Sequence, residues 1–148
     1  MKVLILDDNI DVALSVSQMT KACLPEAEIL VFYDSLEALR KMTGDIDIFI
    51  TDFDMPGLDG VAMAVNAKTM NKKTAVVMIS GLPQTEIEDT PRRTEDFRSS
   101  VDWFIAKPVN LADLQRTIGE IVEGTTTSER SVRSSSSLSP CSCSSVSI

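Results

Sequence analysis

At 148 residues the chain has room for one domain of ordinary size around a single packed core. A formal net charge of −8 argues against nucleic-acid binding, which wants a basic face, and the absence of histidine removes imidazole catalysis and any phosphohistidine step on this chain. Hydrophobic content of 43% with 24% charged residues is that of a soluble globular protein, with no stretch approaching a membrane span and a first apolar run too short for a signal peptide, so a cytoplasmic location is expected.

Five short apolar runs alternate with amphipathic segments. Val3–Leu6 comes first and ends on Asp7 and Asp8. Behind it Val12, Val16, Met19 and Cys23 repeat at helical spacing, with Cys23 as buried filler; three cysteines do not make a disulfide framework. Ile29–Phe32 is the second run, followed by Ser35 as an expected N-cap and by Leu36, Leu39 and Met42 on one helical face. Ile46–Ile50 delivers Asp52 to a strand end, where Pro56, Gly57 and Gly60 of the segment T-D-F-D-M-P-G-L-D-G turn the chain sharply. Val61, Ala64, Val65 and Lys68 then open a third helix. Ala75–Ile79 ends on Ser80. The interval up to Ser100 is irregular, and Pro91 is expected to break it into a loop and a short helix within Thr94–Ser99. Trp103–Ala106 ends on Lys107. Asn110 caps the last helix, Asp113 supports its first turn, and Leu111, Leu114, Ile118, Ile121 and Val122 form its inward face.

Near-continuous apolar strands alternating with helices predict an α/β fold, a doubly wound five-stranded parallel sheet with helices on both faces, over residues 1–124. From Thr125 onward 14 of 24 residues are Ser or Thr, so residues 125–148 are expected to be a disordered tail. Its Cys141 and Cys143 are weak evidence for a metal, and neither stands where a prenylation motif would put it.

In an open parallel sheet, chemistry gathers at the carboxyl ends of the strands. Four of the five strands end in a reactive polar residue: Asp7 and Asp8, Asp52, Ser80, and Lys107. Each has an ordinary explanation alone, since Asp8 could cap a helix, Asp52 could be a turn aspartate, Ser80 a loop hydroxyl and Lys107 a solvated charge. Together they point to one site. Three carboxylates without histidine or thiolate suit a hard cation, and magnesium prefers that oxygen set. A lysine and a hydroxyl opposite could receive the remaining oxygens of a phosphoryl group, whose transfer needs mainly positioning and charge neutralisation. An aspartate nucleophile forming an acyl phosphate is then the natural reaction.

D-D after the first strand, D-x-x-M-P-G-x-D-G after the third, M-I-S-G after the fourth and K-P-V after the fifth resemble the receiver domain of bacterial-type response regulators, from about Lys2 to Gly124. The resemblance implies a flavodoxin-like (βα)5 receiver fold with Asp52 as phosphoacceptor. It implies that Asp7, Asp8, Asp52 and the backbone carbonyl of Asp54 hold Mg2+, that Ser80 and Lys107 meet the phosphoryl group, and that Lys107–Pro108 is cis. Phe104 falls at the aromatic switch position beside Ser80 in that scheme. The partners implied are a sensor histidine kinase or histidine phosphotransfer protein as donor and a downstream protein as target. The chain would be a stand-alone switch, not an enzyme beyond its own phosphoryl acceptance and hydrolysis.

Three departures stand out. Phe104 lacks the hydroxyl of the tyrosine often found there, Trp103 is expected to add to an interaction surface, and Leu82–Ser100 is longer than usual and rich in breakers. Two other functions fit parts of the pattern. One is a receiver-fold interaction module no longer governed by phosphate, against which Asp8, Asp52, Ser80 and Lys107 all argue. The other is a small D-x-D phosphatase, in which Asp54 would act as general acid and base. There the nucleophile lies near the N-terminus and the metal-binding acidic pair comes late, the reverse of the order here.

Overall fold

The computed structural model of the chain describes residues 1–87, 91–124 and 133–134. Twelve elements follow one another: β1 (Lys2–Leu6), α1 (Ile10–Cys23), β2 (Glu28–Phe32), α2 (Ser35–Lys41), β3 (Ile48–Asp52), α3 (Gly60–Met70), β4 (Ala75–Ser80), α4 (Gln84–Ile87), α5 (Pro91–Ser100), β5 (Trp103–Ala106), α6 (Leu111–Glu123) and β6 (Arg133–Ser134). The strands form one parallel sheet in the order β2-β1-β3-β4-β5-β6. The chain starts inside the sheet and winds outward both ways, so the strand order reverses between β1 and β3. That reversal opens a crevice at the carboxyl ends of these two strands.

Alternation along each strand divides the core into two layers. Leu4, Leu6, Phe49, Val76, Met78 and Phe104 face α2, α3 and α5, where Ala38, Met63, Ala64 and Phe97 meet them. Val3, Ile5, Ile48, Ile50, Val77, Ile79, Trp103 and Ile105 face α1 and α6, against Val16, Leu114, Ile118 and Ile121. The central strands are buried on both faces, which is why they read as unbroken apolar runs. Among the described residues, α1, α2, α3 and α6 each carry a side-chain cap. Asn9, Asp34, Asp59 and Asn110 accept the N–H of Val12, Glu37, Ala62 and Asp113, each worth about 1 kcal/mol.

Several expectations change. Asp34, not Ser35, caps α2, and Asn9 rather than Asp8 caps α1. Pro91 starts a helix instead of breaking one: at the first helical position its missing N–H has no partner to lose, so α5 runs through Ser100. Leu111 and Val122 of α6 are exposed, leaving Leu114, Thr117, Ile118 and Ile121 as its inward face. Trp103 is buried, with its Nε1–H donating to Glu120 Oε1 at 2.9 Å, so its ring belongs to the core and not to a surface. At the β5 edge the two-residue strand β6 pairs in parallel through Trp103↔Arg133 and Phe104↔Ser134. The expectation of a disordered tail falls, for residues 125–132 and 135–148, outside the described residues.

Candidate functional site

β1 and β3 lie side by side, with Leu6 opposite Thr51, and both run into aspartates at the same level. Asp7 N–H donates to Phe32 O at 3.1 Å, extending the ladder one residue beyond β1, and its Oδ1 accepts Asn9 N–H at 2.9 Å. Asp7 and Asp52 are 3% and 5% exposed, whereas Asp8 is open to solvent. One carboxylate oxygen from each of the three lies within 4.8 Å of the others. The turn after Asp52 allows this only with glycine at two places. Gly57 has φ +85°, and a Cβ on Gly60 would run into the Asp52 carbonyl oxygen and stand 2.9 Å from Phe53 Cα.

Lys107 enters from the end of β5. Its Nζ stands 3.1 Å from Asp52 Oδ1 and 3.2 Å from Asp7 Oδ2, bridging the two buried carboxylates. The Lys107–Pro108 bond is cis. One ammonium among three carboxylates leaves the site negative, and unit charges about 4 Å apart repel by about 4 kcal/mol at an effective dielectric of 20. Asp52 shows the imbalance. Burial raises its pKa above the ordinary 3.8 and the charge of Asp7 adds to that, together outweighing the hydrogen bond from Lys107. Lys107 shows the converse: burial works against its charge, but the hydrogen bond to Asp52 and the charges of Asp52 and Asp7 win and hold it above 10.5.

This donor set fits magnesium. It is all oxygen and carries surplus negative charge, with one of its three carboxylates open to water for an ion that keeps part of its hydration.

Ser80 and Lys107 sit next to each other at the sheet end, through the pair Ser80↔Ala106 and the bond from Lys107 N–H to Ser80 O at 2.9 Å. Asp52 is opposite Ile79, so Ser80 reaches one residue beyond it. The buried Ser80 Oγ accepts Leu82 N–H at 2.9 Å. Asp7, Asp8, Asp52, Ser80 and Lys107 are therefore gathered at one end of the sheet. Phe104 stands apart in the core beneath, its ring 6.3 Å from that of Phe97 and inclined by 51°. Asp54 is exposed on the turn.

Two residues of this neighbourhood carry no strand-end signal. Ser35 Oγ donates to Pro56 O at 3.1 Å and accepts Leu58 N–H at 3.2 Å, holding the turn from the α2 side. Arg93 of α5 approaches from the other side, with Cζ 5.3 Å from the Phe53 ring centroid and Nη2 3.4 Å from Asp59 Oδ2. Both contacts are half-exposed, worth about 0.5–1 kcal/mol each.

The response regulator receiver domain family matches residues 3–119. The chain belongs to that family. Receiver domains are phosphoacceptors and signal switches, bind magnesium at an acidic pocket, and stand between histidine kinases and downstream effectors. The transcriptional regulatory protein PrrA of Mycobacterium tuberculosis is 30% identical over 114 residues, 76% of this chain and 46% of PrrA. Chemotaxis protein CheY-3 of Vibrio cholerae is 30% identical over 93 residues, 61% of this chain and 68% of CheY-3. This receiver thus spans about half the length of PrrA. In fold it is similar to the chemotaxis response regulator CheY4 of Vibrio cholerae, with TM-score 0.67 and 24% identity over 81% of this chain and 97% of that one. No helix among the described residues is long and apolar enough to cross a membrane.

Proposed function

We propose that this receiver accepts a phosphoryl group on Asp52 from a phosphohistidine of a sensor kinase or phosphotransfer protein and passes the signal to a partner protein by changing conformation. One observation carries the reading: three carboxylates within 4.8 Å of one another, with an ammonium 3.1 Å from the candidate nucleophile. Asp52 Oδ attacks phosphorus, the P–N bond of the donor breaks, and its electron pair stays on the imidazole nitrogen. Hydrolysis later returns the carboxylate and releases inorganic phosphate. Asp7, Asp8, Asp52 and the Asp54 carbonyl would hold Mg2+, which when bound neutralises phosphoryl charge and orients its oxygens.

The other residues each have a part. Lys107 already pairs with Asp52 and follows the negative charge onto the phosphoryl oxygens. A serine hydroxyl can accept and donate at once, so Ser80 can keep Leu82 N–H while donating to a phosphoryl oxygen. Any shift of β4 and β5 that accompanies this is felt by Phe104, which is paired with Met78 and packed on Phe97, so repacking alone can report the change. Moving a domain from mostly inactive to mostly active takes about 5 kcal/mol of differential stabilisation.

Exposed two residues after the nucleophile, Asp54 is placed to influence attack by water, and we assign it that effect on the acyl phosphate. A phosphorylated lifetime unchanged in Asp54→Asn removes that role. The main test adds magnesium with acetyl phosphate or beryllofluoride and follows Trp103 fluorescence. The wild type responds and Asp52→Ala does not; a silent wild type, or an equal response in the variant, refutes phosphoryl acceptance at Asp52.

A further inference from the structure

Residues 53–59 form a closed loop directly after the candidate nucleophile, and α5 holds both of its ends. Phe53 opens the loop, its C=O accepting Gly60 N–H at 2.9 Å, and Asp59 closes it as the cap of α3. The Arg93 guanidinium lies over the Phe53 ring at 5.3 Å and reaches Asp59 Oδ2 at 3.4 Å, so one side chain spans the loop from start to finish. Four residues on, and therefore on the same face of α5, the fully buried Phe97 packs on Phe104. A single helix face thus touches the loop beside Asp52 at one turn and the core aromatic of β5 at the next.

The two grips on the loop differ in kind. Ser35, almost wholly buried, holds Pro56 and Leu58 through its hydroxyl and is a fixed point. Arg93 and Asp59 are about a third exposed, so that contact is weak enough to be redistributed when charge near Asp52 changes. The planar guanidinium also serves two partners in one placement, lying over the ring while pairing with the carboxylate, which a lysine ammonium does poorly.

We propose that Arg93 is a positioning residue that couples the phosphoacceptor loop to α5, acting through Phe53 and Asp59. This rests on the reading of Asp52 as phosphoacceptor, and under it α5 carries the state of the site to Phe97 and Phe104.

Hydrogen exchange of the full chain tests it, measured over 91–100 with and without magnesium and beryllofluoride, alongside Trp103 fluorescence as the report of binding. In the wild type, exchange over α5 changes several-fold on activation. Arg93→Ala binds beryllofluoride within about three-fold of wild-type affinity, yet its α5 exchange no longer responds; Arg93→Lys recovers part of the response. Arg93→Gln serves the same comparison where alanine unsettles α5. An α5 response in Arg93→Ala equal to that of the wild type overturns the coupling. So does a wild type whose Trp103 responds while α5 does not. A wild type with no beryllofluoride response at either probe removes the phosphoacceptor reading itself and the coupling with it.

Discussion

Two half-buried lysine–aspartate groups hold opposite ends of the same sheet. At the amino end Lys68 Nζ lies 2.7 Å from Asp102 Oδ2 and donates to Thr74 O at 2.6 Å, while that same Asp102 oxygen accepts Val76 N–H at 2.9 Å. One ammonium meets one carboxylate, and the backbone absorbs the rest. At the carboxyl end one ammonium meets three carboxylates, and the pKa of Asp52 is raised, first by burial and then by the charge of Asp7. The chemistry of the pairs is identical; only the charge balance differs. A balanced, half-buried pair is a staple. An unbalanced one, with carboxylates in excess, has affinity left for a cation.

The sharpest break in the comparison is functional. Asp52→Ala is expected to abolish phosphoryl incorporation from acetyl phosphate, while Lys68→Met, equally ionic in its pairing, retains it in whatever fraction stays folded. Phosphate-affinity electrophoresis of the two variants reads this directly, and incorporation into Asp52→Ala at the wild-type level would undo the assignment of the site.

Stability gives the next largest contrast. Lys68→Met strands Asp102 with its counter-charge gone and should cost about 3 kcal/mol in urea unfolding, with no recovery on adding magnesium. Lys107→Met removes the ammonium from a group that can recruit another cation, so its deficit shrinks as magnesium is raised. An equal magnesium response in both variants contradicts the distinction. For the wild type, magnesium at about 100 times its Kd should add about 2.7 kcal/mol, an increment that vanishes in Asp52→Ala.

What the sequence made legible follows the same division. Strands buried on both faces read as unbroken apolar runs, and the residue that ends each run is unmistakable, so Asp7, Asp8, Asp52, Ser80 and Lys107 stand out together. Features made by distant contacts do not. Ser35 looks like a cap because a serine precedes an apolar stripe, yet its partners lie 21 and 23 residues away. Arg93 sits in a mixed-charge interval with no periodicity, and its role appears only once α5 lies against the loop at 53–59. Pro91 misleads because proline breaks a helix in its interior but is welcome at its first position. Trp103 is legible in principle: a period of two places it with Ile105 on the α6 face, opposite Phe104.

The smallest contrast reverses sign between the two ends. Asp52 has its carboxyl pKa raised, first by burial and then by Asp7, against the pull of Lys107. A carboxyl whose folded pKa exceeds its unfolded value binds its proton more tightly in the folded chain, so its ionisation costs stability. That cost is present in full above the folded pKa, declines as pH falls through it, and is gone below the ordinary value of 3.8. Asp52→Asn removes the ionising group while keeping its shape, and Lys107 keeps Asp7 as a partner. Without magnesium the variant should therefore be more stable than the wild type by about 1 kcal/mol at pH 7, with the gain fading as the pH is lowered toward 3.8. Asp102→Asn, made at the balanced end, should instead lose about 2 kcal/mol at pH 7, because Lys68 is left without its counter-charge. Urea unfolding in chelator across that pH range measures both, and a loss at both positions would show that the carboxyl end carries no excess charge after all.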